Sequence, residues 1–421
     1  MYPTSNRRQF LRTLAGAAVA GGIARGADDA LLDDIERRAC LYFYEMADPA
    51  TGLVLDRALI DQPYKAGASS IAATGFGLSA LCIAAMRGYL PSDQAATRVF
   101  RTLEFLNSDA PNVHGFFYHF ADSAAGKRIW NSEISSIDTG WLMCGVLHCR
   151  MYWPDDRIKR LASLLLNRVD WRWMLNGGQM LSHGWTPEHA FLPYRWDTYA
   201  ESLALYLLAI GAGNNGIPAA SWDSWKRPMT DLSGVFYIDA ETPLFVHQYS
   251  HAWFDFRDRR DKYANYFANS QRATQAHRQY CISLSSKFPW YGPDMWGVSA
   301  SDSQGGYRVW GSPASPPDGT LVPCASGGSL GLLPTLCLRV LENMRTRYGD
   351  KAWRRYGFVD AFHPKAGWYS PYVIGIDLGI MLLMAENVRS GAVWDSVMSA
   401  PEATRAMDLV GLHDVSAPKP A

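Results

Sequence analysis

The chain has 421 residues with 48% hydrophobic side chains, enough to bury a large core, and its 40 basic and 40 acidic residues cancel to a formal net charge of zero. That balance offers no basic face for nucleic acid or for an anionic membrane surface. Sixteen Trp and 21 Tyr form a surplus of amphipathic rings, which favours a groove for a hydroxylated ligand such as carbohydrate.

In chain order, residues 6–12 (NRRQFLR) pair Arg7 with Arg8 ahead of Phe10 and Leu11, and a weakly hydrophobic run, LAGAAVAGGIA, follows. This reads as a twin-arginine export signal over residues 1–27, cleaved between Ala24 and Ala27. The run is too short and too rich in small residues for a membrane span, so a soluble periplasmic or secreted protein without stable membrane insertion is expected. Twin-arginine export carries folded proteins, so the seven cysteines need not form bridges; no CxxC pair occurs, and Cys82, Cys144, Cys149, Cys281 and Cys337 sit in apolar surroundings that suit free thiols.

Helical periodicity then dominates, predicting helices over 29–46, 69–88, 92–107, 134–152, 156–168, 196–211, 244–257, 260–284, 328–348 and 376–389, with little strand-like alternation. The loops between them, at 109–132, 171–195, 212–242 and 287–322, are long and rich in Trp, Gly and Pro, and loops of that length in a compact domain are usually functional. Helices of ordinary length alternating with elaborated loops fit an all-α toroid, and no fixed-period repeat points to a solenoid. A single domain over 28–395 is expected, with a C-terminal extension over 396–421 that loses structure from about Gly411.

On the helix predicted over 196–211, Tyr199, Leu203, Tyr206, Leu207 and Ile210 share one face, and Leu205 and Leu208 flank Glu201 on the other. A helix apolar all round belongs inside a large structure. Glu201 is then a lone carboxylate among leucines. Desolvation would raise its pKa toward what a general acid needs, whereas the helix dipole would favour its charged form, and the residues alone leave both readings open.

Residues 243–270 (PLFVHQYSHAWFDFRDRRDKYANYFANS) combine ring faces with directional groups on His247, Gln248, His251, Asp255 and Arg257, which suits a sugar, or else a buried helix whose polar groups satisfy one another. His247 and His251 have zinc-ligand spacing, but the intervening Gln-Tyr-Ser lacks a glutamate base, and no metal or cofactor is expected. Trp253, Trp290, Trp296 and Trp310 are candidate stacking platforms, with core packing the competing reading. The 299–311 segment (SASDSQGGYRVWG) reads as a ligand-facing loop carrying Tyr307, with Gly305 and Gly306 allowing close backbone approach.

Five ordered segments carry a resemblance: SEISSIDTGWL at 132–142, WDTYAESLALYLLAIG at 196–211, the 243–270 block, DGTLVPCASGGSLG at 318–331 and GIDLGIMLLMAENVRSG at 375–391. Together they resemble the bacterial glycoamylase-like family, which includes endo-β-1,2-glucanases and related β-1,2-glucan-acting enzymes. The resemblance runs from about residue 30 to 391 and implies an (α/α)6 barrel acting as a glycoside hydrolase on β-glucan, most specifically β-1,2-glucan. It also implies Glu201 as general acid of an inverting mechanism, although Ala200 stands where the family pattern reads Asn, and it implies an oligo- or polysaccharide substrate for which Tyr199 and Trp296 join the binding candidates. A monomer is expected.

Hydrolysis requires a second carboxylate, about 6.5–9.5 Å from the acid if water fits between them or about 5–5.5 Å if the carboxylate itself attacks. The candidates are Glu133, Asp138 and Asp377. Glu133 and Asp138 would stand about 140° apart on one helix, so only one would face Glu201, and Ser132 or Glu133 could instead be caps. Asp377 reads as an N-cap from its position and as catalytic by resemblance. The base stays open between Asp138 and Asp377. The alternatives are a transglycosylase with Glu133 as nucleophile, an exo-acting sophorose-releasing enzyme, and a non-catalytic glycan-binding protein.

Overall fold

The helices, traced in a computed structural model that describes residues 24–415, are α1 (Ala24–Glu45), α2 (Ile71–Arg87), α3 (Ser92–Ser108), α4 (Ser136–Tyr152), α5 (Asp156–Arg168), α6 (Trp171–Met174), α7 (Leu203–Gly211), α8 (Tyr266–Ser283), α9 (Pro323–Gly327), α10 (Pro334–Ala352), α11 (Gly375–Arg389), α12 (Ala392–Met398) and α13 (Pro401–Leu409). The twin-arginine segment at 6–12 and the final SAPKPA lie outside the described residues.

Burial divides the helices into two sorts. α2, α4, α7 and α11 are buried along most of their length and on every face. α3 and α5 bury a single stripe, Ala95, Val99, Leu103 and Leu106 in one and Ile158, Ala162 and Leu165 in the other, which leaves their remaining faces toward solvent. Packing follows the same division: α11 lies on α2, α2 on α4, α4 on α7, and a 3-10 turn (Tyr249–Ala252) touches both α7 and α11. Outside them, α1 packs on α2 and α11, α3 on α2, and α5 on α3 and α4, while α13 covers α7.

Glycine sets the closest of these approaches. A Cβ built on Gly75 of α2 would fall 2.3 Å from the Trp141 carbonyl oxygen, and one on Gly145 of α4 would fall 2.1 Å from the Gly75 carbonyl oxygen, so the two helices touch backbone to backbone. At the far end of α2, Arg87 donates two hydrogen bonds of 2.8 and 2.7 Å to Glu386 of α11.

Short strands gather at the N-terminal ends of the inner helices. Ala68–Ser70, leading into α2, pairs with Phe120–Asp122; Ile134–Ser135, leading into α4, pairs with Gly184–Thr186; and Tyr372–Ile374, leading into α11, pairs with Arg57–Leu59. Ser70 and Ser135 cap their helices by accepting the N–H groups of Ala73 and Asp138, so the α4 cap is Ser135 and not Ser132 or Glu133.

Three expectations are corrected. The helix predicted over 196–211 begins only at Leu203, because the Trp196 N–H is held by the Leu181 carbonyl at 2.9 Å and the Tyr199 N–H by that of Lys226 at 2.8 Å. Segment 244–257 forms two 3-10 turns, Leu244–His247 and Tyr249–Ala252, in place of a helix. Between them the Gln248 side chain donates to the Ala325 carbonyl at 2.8 Å and to Ser329 Oγ at 2.7 Å, tertiary bonds that override local helical preference. Finally, α12 runs across the predicted boundary at 395, α13 follows, and His413–Asp414 pairs with Arg259–Arg260 beside a buried Leu412, so structure continues past Gly411. All seven cysteines are buried and free.

Candidate active site

Converging N-termini bring the chemistry together. Pairing of Phe120–Asp122 with the α2 entry strand delivers His119 to this end of the molecule, where its N–H bonds the Glu133 carbonyl at 2.9 Å and its carbonyl accepts the Ile71 N–H at 3.1 Å. The imidazole Nδ1 lies 3.0 Å from Glu133 Oε1 and Nε2 lies 3.6 Å from Asp138 Oδ1. Burial alone would push the imidazole pKa down, but the two carboxylates outweigh it and raise it to about 9, so His119 is a cation at neutral pH. Burial likewise works against ionisation of Glu133, yet the hydrogen bond and charge of His119 prevail and hold that carboxyl below its usual range. Asp138 is raised by burial despite His119 and the hydrogen bond from Ser135.

Glu201 sits in the turn before α7. Its carbonyl accepts the Ser250 hydroxyl at 2.7 Å, and the same Oγ accepts the Ala204 N–H at 3.0 Å, so one buried serine fixes both the turn and a first-turn amide of the helix. The Glu201 side chain is only partly exposed. Burial first, and then the charge of Asp138, push its carboxyl up to about 8 against the opposing pull of His119. The acid is therefore protonated at neutral pH.

Asp377 occupies the first turn of α11, almost fully buried, and accepts the Tyr249 hydroxyl at 3.2 Å; it is not the helix cap, which is Ile374. Beside it lies Asp360, which accepts the Asp302 N–H at 2.7 Å. Asp302 in turn accepts Arg57 at 2.8 Å and the Ser370 hydroxyl at 3.0 Å. Tyr307 stands over this group with 48% of its surface exposed, its ring 5.7 Å from the Arg57 guanidinium, and burial together with Asp377 and Asp360 raises its phenol pKa.

Glu133, Asp138, Glu201, Asp377 and Tyr307 are thus brought to one end of the molecule. Glu133 and Asp138 share His119, contrary to the expectation that only one would face the site, because Glu133 precedes the helix and the angular rule does not reach it. The remaining binding candidates serve the interior. Trp253 and Trp296 are 0% exposed; Trp253 bonds Ser79 Oγ at 2.9 Å and stacks on Trp141, which makes it core and not a platform. Trp310 is equally buried, and half-buried Trp290 bonds the Gly319 carbonyl at 2.7 Å.

Tyr199 bonds His247 Nδ1 at 3.1 Å, and His247 Nε2 lies 3.3 Å from Asp239 on the wall of a separate cavity of about 210 Å³. His251 bonds Ser270 at 2.9 Å, so the two histidines have different partners and do not form a ligand pair. Arg257 clamps Asp255 at 2.9 and 2.7 Å and lies over the Trp394 ring, packing on α12 and away from the carboxylates. His119, Arg57, Asp302 and Asp360 were not singled out from the sequence: each lies in a loop or short strand with no periodic pattern to mark it, and the signals were the length of the 109–132 loop for His119 and the ligand-facing reading of 299–311 for Asp302.

Among the described residues, His119, Glu133 and Asp138 are the trio whose ligand atoms, within 4.8 Å of one another, could hold a metal ion. A recess of about 1060 Å³, lined by Trp222, Asp261 and His413 among others, lies apart from the carboxylates of this site.

Residues 193–401, which include Glu201 and Asp377, match the family model "Glycoamylase: Putative glucoamylase". A solved Bacteroides fragilis structure bearing the same glucoamylase description is 30% identical, covers 92% of this chain and 97% of its own, and superposes with a TM-score of 0.84. The chain belongs to the glycoamylase-like family. Within it, the endo-β-1,2-glucanase of Chitinophaga pinensis, solved with sophorotriose and glucose, is 26% identical over 92% of this chain and 98% of its own, with a TM-score of 0.82. The exo β-1,2-glucooligosaccharide sophorohydrolase of Parabacteroides distasonis is 26% identical over 91% of this chain. This glycoamylase-like chain spans 58% of the length of that curated relative.

Proposed function

We propose that this glycoamylase-like protein is a glycoside hydrolase that cleaves β-1,2-glucan with inversion. Glu201 protonates the leaving oxygen and Asp377 drives attack of water from the other side, directly or through a substrate hydroxyl. The observation that carries the reading is a glutamic acid whose carboxyl burial pushes up to about 8, in the same site as a buried aspartate, Asp377, that burial raises only to about 6 because donors such as the Tyr249 hydroxyl favour its charged form. Two carboxyl groups driven toward different protonation states are the pattern of an acid and base pair. Asp138 suits the base role less, because it is engaged by His119 and Ser135.

The mutual packing of α11, α2, α4, α7 and the 249–252 turn, with α1, α3 and α5 outside, supports an (α/α)6 toroid whose carboxylate-bearing end binds the glycan. The basic N-terminal motif supports export by the twin-arginine route, and with it a periplasmic or secreted location.

The test is incubation of purified protein with linear β-1,2-glucan and with sophoro-oligosaccharides, following product lengths and the first anomer by NMR. Inverting hydrolysis releases the α-anomer. Sophorose as sole early product would mark the exo mode of the Parabacteroides relative, and a mixture of lengths the endo mode. Retained β-anomers or longer chains would favour transglycosylation with Glu133 as nucleophile, a role its ionised state permits. Inertness toward both substrates would remove the proposal.

A further inference from the structure

We propose that Asp360 and Asp377 share a single proton and act as one buried dyad, in which Asp360 is the positioning residue that keeps Asp377 oriented and charged to accept a proton. Both side chains are almost fully buried, at 5% and 7% exposure, and both line one small cavity, where each carboxyl acts on the ionisation of the other. One oxygen of each has a donor: Asp360 Oδ2 takes the Asp302 N–H at 2.7 Å, and Asp377 Oδ1 takes the Tyr249 hydroxyl at 3.2 Å. Asp360 Oδ1 and Asp377 Oδ2 have no donor among the described residues. Two ionised carboxylates are acceptors only, so as ions they would leave both of these buried oxygens unsatisfied and place like charges in contact. One proton between them removes both difficulties.

The charges nearest the pair favour keeping one proton on it. Asp302 and Asp56 add negative charge, Tyr249, Tyr307 and the Cys324 thiol are neutral, and the cation of the group, Arg57, is engaged by Asp56 at 3.0 Å and by Asp302 at 2.8 Å. The cavity lined by both aspartates, Cys324 and Met381 measures about 10 Å³, too small for a counter-ion with its ligands. The proton rests on Asp360: Asp377 receives hydrogen bonds from Tyr249 and Cys324, which favour its charged form, whereas Asp360 has a single backbone donor.

The catalytic meaning of the dyad rests on the hydrolase reading, but its existence does not, and the experiment separates them. Protein carrying 13Cγ-labelled aspartate is titrated by NMR. One aspartic acid is expected to stay protonated at neutral pH, with its resonance lost in both Asp360→Asn and Asp377→Asn. Wild-type protein in which every aspartate is ionised at neutral pH would overturn the dyad, whatever the glucan assay gives. In turnover, Asp360→Asn keeps a donor and changes no charge, so kcat stays within about threefold and the acid limb of the pH profile does not move. Asp360→Ala removes the donor, lowering kcat about 10- to 100-fold at unchanged KM and moving the acid limb to higher pH. An Asn variant as damaged as the Ala variant, or a limb that falls in pH with either, would overturn the positioning role. Full hydrolysis by Asp377→Asn would instead remove the base assignment and leave the dyad standing.

Discussion

Glu201 owes its raised pKa to surroundings that withhold water and set Asp138 nearby, and that shift carries a stability consequence beside the proposed catalytic one. Its folded pKa, about 8, lies above the ordinary 4.5, so the protonated form is the one the fold prefers. The associated stability is present in full below about 4.5 and is lost as pH rises through about 8. Replacing Glu201 with Gln keeps the shape and removes the titration: hydrolysis should fall about 1000-fold while the melting temperature at pH 9 rises above wild type and that at pH 5 stays level, read by calorimetry. Unchanged turnover would deny Glu201 the acid role, whereas a non-catalytic glycan-binding protein would show no hydrolysis in either form and equal glycan affinity in both. On the hydrolase reading, the same groups should set the pH dependence of kcat/KM in the wild-type protein. Activity should rise as the Asp360 and Asp377 pair releases its first proton, above the ordinary carboxylate range, and fall near pH 8 as Glu201 ionises. A profile that stays flat through pH 9 would deny Glu201 its role.

At the level of elements, the site is as exact as the helix packing behind it. α2 and α4 touch through Gly75 and Gly145, and no rotamer relieves a methyl group placed against a backbone carbonyl. Gly75→Ala should cost about 3 kcal/mol in denaturant unfolding, the upper part of what overpacking typically costs, because separating these helices displaces the strands that carry His119 and Glu133. Ser250 acts more locally. Ser250→Ala should lower stability by about 1 kcal/mol and leave KM unchanged, with a loss in kcat that Ser250→Thr partly restores, since its hydroxyl holds the Glu201 turn and not the substrate. This turn is also where sequence and structure part. The leucines after Glu201 have an apolar pattern that reads as helix, and they are one, but the preceding residues are drawn into strand-like bonds with Leu181 and Lys226, partners that no local pattern reveals.

Across the whole molecule, the chain after residue 395 closes the structure. Gly211, at the end of α7, lies so near the Glu402 carbonyl that a Cβ there would sit 2.3 Å from it, and Arg150 of α4 holds Glu402 through two hydrogen bonds of 2.9 and 2.6 Å. A chain ending at residue 400 would uncover α7, all of whose residues are buried, and should aggregate or fail to melt cooperatively, as followed by circular dichroism and size exclusion. Cooperative melting of that truncation would show 401–415 to be the dispensable extension its composition suggests.

The sequence by itself determined the inner helices, because residues buried on every face leave an apolar run that composition exposes, and it determined the family, because five ordered segments survive in register. It marked Glu201 for the same reason, as a carboxylate among leucines. Only the tertiary structure decided which polar residues meet. The histidines, glutamine and tryptophan of 243–270 looked like a sugar site, yet His247 lies against Asp239 and the others bond to Ser270, Ser329 and Ser79 inside the protein, while His119, Asp302 and Asp360 reach the carboxylates from loops and short strands far apart in the chain. Periodicity reports the face a residue turns toward the core, but a hydrogen bond or a shifted pKa depends on which distant segment fills the space in front of it.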